Sequence, residues 1–325
     1  MHDIATQYRI IADGAGWIER TDRGRLRFDG ADRIAFLHAL LTNDIAALTS
    51  GGGTYALYLT PQGRMIADLH VYVRPDHVIA DVPAAVAANL AGALDAAIFT
   101  EDVRVTDVSG VLRQISVLGG QAASVLSGLA ATPETALERL PAWSQIAFDH
   151  GFVARADDFL DASWDVLADE AGVREAIAAF ERAGAVPVSS AVADAMRIEA
   201  GRPRFGIDMT EETIPLEVGL LDRAISQTKG CYVGQEVIIR VLHRGAGRVA
   251  KRLVRLTAES AVEKDARILV DGRDVGRVTS TAWSPRANSP IALGYVARDA
   301  AEPGREVVVS GAGQSTRATI SGLAG

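Results

Sequence analysis

The stretch 55–73 narrows the choice of fold more than any other part of the chain. Residues 55–59 read as a strand, Thr60-Pro61-Gln62-Gly63 as a turn with proline second and glycine fourth, and 65–73 as the returning strand. Along that return Met65, Ala67, Leu69, Val71 and Val73 alternate with Ile66, Asp68, His70 and Tyr72. A period of two places the first set on one face and aligns Asp68, His70 and Tyr72 on the other. The apolar face needs a covering layer, and a helix over about 83–99 with Val86, Leu90, Leu94 and Ile98 four apart supplies it. The polar row is expected to face solvent, as half-buried strands usually do, unless it lines a ligand cavity.

The flanking pattern extends this α+β reading. A hairpin is expected over 17–28, turning at Asp22-Arg23-Gly24, followed by an amphipathic helix with Ile34, Leu37, His38 and Leu41 on one face. His38 there reads as a satisfied core histidine. Gly51-Gly52-Gly53 lacks the Lys-Ser/Thr ending of a phosphate loop and reads as a connection. Strands near 103–108 and 112–118 and a helix over 121–140 come next. A helix pair follows at 172–200, with Ser190 as N-cap of the second helix and Gly201 just past its end. In that last turn Glu199 continues the buried face of Val192 and Met196. The helix dipole disfavours a carboxylate there by about 0.3–1 kcal/mol, so Glu199 needs a partner. Arg202 or Arg204 could serve, and so could a ligand with adjacent N–H groups such as an amino-pyrimidine ring. The long 202–217 loop, rich in Pro, Gly and charge, has the character of a functional loop. Past His243 only short β-runs recur, with a hairpin signal at Asp271-Gly272, which gives a small all-β domain of barrel type. With 325 residues the chain exceeds one core, and the division falls into 1–242 and 243–325.

The stretch Lys229-Gly230-Cys231-Tyr232-Val233-Gly234-Gln235-Glu236 holds the only cysteine. Its glycines suit a shaped loop, and the β-branched run 237–242 reads as a strand, so Cys231 and Lys229 are expected at a strand's mouth. A buried structural cysteine is the bland alternative, but the neighbouring Lys229 would favour a reactive thiolate. One cysteine excludes an internal disulfide and cannot by itself complete a cysteine-rich zinc or iron–sulfur site, so no resident metal is expected. Net charge is −8, which argues against direct nucleic-acid binding over a broad surface. The N-terminal residues lack a signal-peptide pattern, and the apolar segment 82–99 is broken by Asn89 and Asp95, so no membrane span and a cytoplasmic location are expected.

Several of these stretches resemble the folate-binding family that includes the glycine-cleavage T-protein: Leu40-Leu41-Thr42-Asn43-Asp44, Arg197-Ile198-Glu199-Ala200-Gly201, Gly206-x-Asp208 and Pro215-x-Glu217. The resemblance covers nearly the whole chain. It implies an α+β fold, with a folate-binding core of two α+β subdomains around a central cavity and a small C-terminal β-barrel after it. It also implies tetrahydrofolate or a one-carbon derivative as ligand, Glu199 at the pterin edge, Asp68 near the reactive nitrogens, and Arg240 as a further folate contact. The Lys229–Glu236 stretch is similar to the signature of the YgfZ branch. That likeness implies Cys231, with Lys229, as a reactive pair in an accessory factor for assembly or repair of iron–sulfur enzymes. Its partners would be iron–sulfur client or assembly proteins, and tRNA modification would be affected indirectly. T-protein itself implies folate-dependent aminomethyl or methyl transfer, and this chain has Ala67 before Asp68 where those enzymes show a pair of acids.

Overall fold

In the computed structural model, residues 3–159, 161–245, 247–311 and 313–325 are described. Three β-structures organise them. A five-stranded antiparallel sheet runs Gly53–Leu59, Met65–Val73, Val78–Pro83, Arg23–Asp29 and Arg104–Asp107 in spatial order. A six-stranded sheet runs Val186–Pro187, Gly16–Glu19, Arg113–Leu118, Ser163–Ala168, Gly151–Ala156 and Gln145–Phe148. It is antiparallel except where Gly16–Glu19 pairs in parallel with Val186–Pro187. Six further strands between Lys251 and Leu323 close into a barrel, because Lys251–Ala258 pairs with both Ser289–Ala297 and Gln314–Leu323. The fold is therefore the expected α+β core followed by a small closed barrel.

The predicted alternation holds from Ala67 to Val73 but not at its start, where a register shift beside Leu59 turns Met65 to pack with Leu57 and Leu59 and leaves Ile66 against the Ala67 cluster. Ala67, Leu69 and Val71 enter a core with Leu26, Phe28, Leu90 and Leu94, beneath the helices Arg33–Leu40 and Ala87–Asp95. The polar row departs from the solvent expectation: Asp68, His70 and Tyr72 are 5%, 2% and 0% exposed. The second sheet covers them. Its own outer face is packed by the helices Ala122–Leu129 and Glu170–Arg182, so its inner face meets the first sheet. At one end of that interface Tyr72 and Ile79 pack on Phe152, Ala154 and Leu167, with Tyr72 and Phe152 ring centres 5.3 Å apart.

Several local expectations fail, two of them because neighbouring strands in sequence go to different sheets. The 17–28 stretch is no hairpin: Gly16–Glu19 lies in one sheet and Arg23–Asp29 in the other, and Arg20–Asp22 cross between them. The strands Arg104–Asp107 and Arg113–Leu118 are likewise split between the sheets. The helix expected from 83 begins later, after the strand Val78–Pro83 and a 3₁₀ turn at Ala84–Val86. The 121–140 helix breaks at Pro133 into two pieces. Ser189, not Ser190, holds the N-cap position of Ser190–Ala200. His38 is no core residue; its Nδ1 accepts from the Ala46 N–H at 3.2 Å and faces Asp44.

The largest correction falls on 237–242, which is helical within Gln235–His243. Gly234 takes φ +84° ahead of it, a conformation costly for residues with a Cβ, and Glu236 in the first turn with Arg240 and His243 in the last complement the dipole. Ile238, Val241 and Leu242, at i, i+3 and i+4, pack on the core cluster between the barrel and the first sheet. Packing of that stripe outweighs the small β-preference of branched residues.

A polar seam follows the inner faces. Asp81 is fully buried between Arg23 (Nε to Oδ1, 3.0 Å) and His70 (Nδ1 to Oδ2, 3.0 Å). Burial opposes its ionisation, but Arg23 and His70 outweigh burial and hold it well below the carboxylate range. Opposite, Asp165 accepts from Ser116 and is pushed up to about 6 by burial. Its Oδ2, Gln114 Oε1 and the Tyr72 hydroxyl find no hydrogen-bond partner among the described residues. Because the folded carboxyl keeps its proton where the unfolded one has lost it, stability falls as pH climbs from about 4 to about 6 and stays lower above that. Asp165→Asn removes the penalty. Denaturant unfolding is expected to show the variant more stable near pH 7.5 by up to about 3 kcal/mol, with no advantage near pH 4.

Candidate functional site

Where the chain crosses between the sheets, the seam opens into a cavity of about 210 Å³. Its floor is the polar row: Asp68 and His70, with Tyr55 from the neighbouring strand and Arg23 from across the sheet. Arg20 and Asp22 come from the crossing segment, and Asp158 and Phe159 from the loop joining Gly151–Ala156 to Ser163–Ala168. Arg197, at the end of its helix, and the loop residues Arg202, Arg204, Phe205 and Ile207 close the other side.

Of the three aspartates that line this space, Asp68 and Asp158 flank His70. Asp68 accepts from the Tyr55 hydroxyl at 3.1 Å and stands 3.6 Å from Arg23 Nη1, both through Oδ2. Its Oδ1 is buried and has no donor among the described residues. Asp158 lies 3.6 Å from His70 Nε2 and 3.8 Å from Arg20 Nη1. Burial disfavours its charge, but His70, Arg20, Arg23 and Arg223 together keep its pKa below the ordinary value. An aromatic wall stands beside them. His70 stacks on Trp143 at 4.4 Å, Tyr55 lies 5.1 Å from His70, and the Arg223 guanidinium sits 5.2 Å over the Tyr55 ring.

The rim is cationic. Six arginines and three aspartates line the cavity among the described residues, against the acidic balance of the whole chain. Arg202 and Arg223 converge on Asp157, and Arg204 on Asp194. Burial, then a neighbouring arginine in each case, lowers the pKa of Arg202 and Arg204. Crowded guanidinium groups of this kind favour an anionic group on any ligand.

Of the five residues singled out in the sequence, only Asp68 stands in this cavity. Glu199 points elsewhere: the Tyr8 and Ser284 hydroxyls donate to it, and Arg286 lies 4.0 Å away, beside a second cavity of about 190 Å³ against the barrel. The Arg202 and Arg204 guanidinium groups, its expected ion partners, bind Asp157 and Asp194 instead. Gly201, at φ +73°, ends that helix and lets the Arg255 side chain pack closely. Lys229 is a structural clamp. Its ammonium donates to the carbonyls of His38, Leu41 and Asn43, at the C-terminal end of Arg33–Leu40, and burial lowers its pKa to about 8. That positive charge is therefore committed to a helix end rather than to the thiol of Cys231, which is exposed. Arg240 is exposed on the helix Gln235–His243, in a surface depression with Val237, Ile239 and Arg244.

The motifs act mainly as stitching. Asp208 accepts from Arg197, Thr279 and Ser280, joining the core to the barrel. Thr42 binds Ala224 and Leu57, so the Leu40–Asp44 stretch, the first sheet and the Lys229 loop form one block. Gly234 lies against the Thr60–Gly63 turn, where a Cβ would come within 2.6 Å of the Thr60 carbonyl. His70 was within reach of sequence reasoning, two residues beyond Asp68 on the same face. Arg20, Arg23, Asp158 and Arg223 carry no local signal, because three separate segments bring them together. Among the described residues no group of three or more His, Cys, Asp or Glu is placed to hold a metal ion, and no helix is long and apolar enough to cross a membrane.

With this geometry in hand, two family matches cover most of the chain: the GCVT N-terminal domain over residues 1–229 and the glycine cleavage T-protein C-terminal barrel domain over 251–324. Similar proteins include an aminomethyltransferase of Nostoc sp., 28% identical across 98% of this chain and 86% of its own length. One from Moorella thermoacetica is also 28% identical, across 98% and 88%. A putative chloroplastic transferase of Arabidopsis thaliana is 27% identical across 91% of this chain and 68% of its own length. The crystal structure of the glycine cleavage system aminomethyltransferase T from Bartonella henselae shares the fold, with a TM-score of 0.87 at 20% identity over 98% of this chain and 88% of that one. Core and barrel alike place the chain in the glycine cleavage T-protein family.

Proposed function

We propose that the central cavity binds a reduced folate and that the protein carries out folate-dependent one-carbon transfer of the aminomethyl- or methyltransferase kind. The observation that carries this reading is the unpartnered Oδ1 of Asp68, a buried acceptor on the cavity wall beside Arg23 and Tyr55. A buried carboxylate oxygen without a donor is costly, and a ligand N–H relieves it. Asp158 offers a second acceptor across the same space, the Tyr55 and His70 rings give a planar group a stacking surface, and the arginine rim suits a carboxylate-bearing tail. The relatives named aminomethyltransferase support the same chemistry.

Tetrahydrofolate supplies the nitrogens that carry a one-carbon unit. Asp68 would hold an adjacent N–H or stabilise positive charge on nitrogen, and Arg23 and Tyr55 would keep its carboxylate oriented. In titration calorimetry, tetrahydrofolate is expected to bind the wild type saturably and Asp68→Asn about 10- to 100-fold more weakly, as for loss of a charge-assisted hydrogen bond. Glu199→Ala, outside the cavity, is expected to lower the melting temperature more than the affinity. Absence of tetrahydrofolate binding to the wild type would sink the reading.

A second reading, as an accessory factor for iron–sulfur enzymes with effects on tRNA modification through them, rests on Cys231. Its loop is clamped by Lys229 on one side and packed through Gly234 on the other, yet the thiol between them is open to solvent. An ordered loop that displays its only thiol suits contact with a client or assembly protein. Cys231→Ser is expected to fold and bind tetrahydrofolate as the wild type does, but to fail to restore iron–sulfur enzyme activity in cells lacking the protein. Full restoration by the serine variant would discard this reading.

A further inference from the structure

Among the described residues lining the central cavity, His70 is the only imidazole. Its Nδ1 meets Asp81 Oδ2 at 3.0 Å, and Asp81 is kept ionised by Arg23. An ionised carboxylate only accepts, so Nδ1 carries the hydrogen and the other nitrogen, Nε2, is the exchangeable position. Nε2 stands 3.6 Å from Asp158 Oδ1, too far for a direct hydrogen bond and close enough for electrostatic support. The ring cannot readily turn, being stacked on Trp143 at 4.4 Å with Tyr55 at 5.1 Å. Around it a chain of charges runs Asp68, Arg23, Asp81, His70, Asp158, Arg20, each within 3.8 Å of the next. A proton on Nε2 completes the alternation of sign along that chain. An orphan structural histidine would need no such pair of carboxylates, one buried behind the ring and one on the cavity side.

From this arrangement we infer that His70, oriented by Asp81, passes a proton at Nε2 to and from a nitrogen of the cavity ligand, a role that rests on the folate reading and is separate from the charge-holding role of Asp68. In the direction of one-carbon release, a C–N bond of the ligand breaks and its electron pair returns to nitrogen. That nitrogen takes the proton from Nε2, and the neutral imidazole keeps its Nδ1–H on Asp81. In the reverse direction nitrogen spends its lone pair on the new C–N bond, the proton leaves for Nε2, and Asp81 and Asp158 balance the imidazolium. Water or an amine is the one-carbon acceptor: its lone pair bonds to the released carbon, and the proton it then loses goes to Nε2 and restores the imidazolium. Tyr55 lies beside the ring, Arg23 acts on it through Asp81, and Arg20 and Arg223 through Asp158, with Asp68 beyond Arg23.

Two measurements test the role. Nitrogen-15 NMR of histidine-labelled protein is expected to show His70 with its hydrogen on Nδ1, and an Nε2 resonance that moves when tetrahydrofolate is added. A bare Nδ1 with Nε2–H, or an Nε2 resonance untouched by bound ligand, would overturn the inference while leaving the folate reading intact. Release of the one-carbon unit from 5,10-methylenetetrahydrofolate is then compared in wild type and His70→Asn. The asparagine amide can still donate to Asp81 but offers nothing at Nε2. Its kcat is expected to fall about 100-fold or more, well beyond the weakening of tetrahydrofolate binding that loss of the stacking ring causes. His70→Gln, which keeps an amide near Nε2 but loses the Asp81 bond, is expected to be as slow. An unchanged kcat in His70→Asn overturns the role. Wild type that binds tetrahydrofolate without accelerating release overturns the role and the transferase chemistry, and wild type that binds none overturns the folate reading itself.

Discussion

The contact of Arg23 with Asp81 anchors the polar seam between the two sheets. Two sheets meet face to face, and in place of a continuous apolar interface they bury charged side chains along part of it. Desolvating two ions is expensive, and the cost is offset only when each is paired at close range and its remaining polar atoms are bonded. Arg23 meets that condition through Nε on Asp81 Oδ1, Nη2 on the Asp81 carbonyl, and Nη1 toward Asp68. Loss of one partner from such a pair costs about 3–5 kcal/mol. His70, Asp68 and Asp158 take their positions from this pair, so the cavity is an extension of the seam.

The same device joins the remaining parts. Asp208 ties the helix end at Arg197 to Thr279 and Ser280 of the barrel, and Tyr295 donates to its carbonyl. Lys229 ties its loop to a helix end more than 180 residues earlier in the chain. Most of the sequence stretches that resemble the family therefore hold segments together, and the cavity is lined mainly by other residues. Cys231 sits on one of these held segments, apart from the cavity wall, which separates a surface role for the thiol from whatever chemistry the cavity performs.

The pattern along 65–73 was legible because a strand's period of two leaves no freedom about which residues share a face. It put Asp68, His70 and Tyr72 on one face, but the expectation that this row meets solvent failed, because the second sheet covers it. Glu199 shows the limit of the same logic. Its inward direction and need for a partner were readable from helix spacing, but the partners are Tyr8 and Ser284, one from the start of the chain and one from the barrel. The run 237–242 misled because branched residues carry only a small intrinsic preference, and a packed stripe of Ile238, Val241 and Leu242 decided in favour of helix.

By itself the sequence determined the α+β core, the closed β-domain after it, the apolar faces and the polar row on the strand, since these follow from local periodicity and turn chemistry. Only the tertiary structure decided which charges meet. Arg20, Arg23, His70, Asp158, Arg197 and Arg223 are brought to one cavity by strands that cross between sheets and by loops from distant segments. Electrostatic pairing depends on distances of a few ångströms between residues far apart in the chain, and no local pattern encodes such distances.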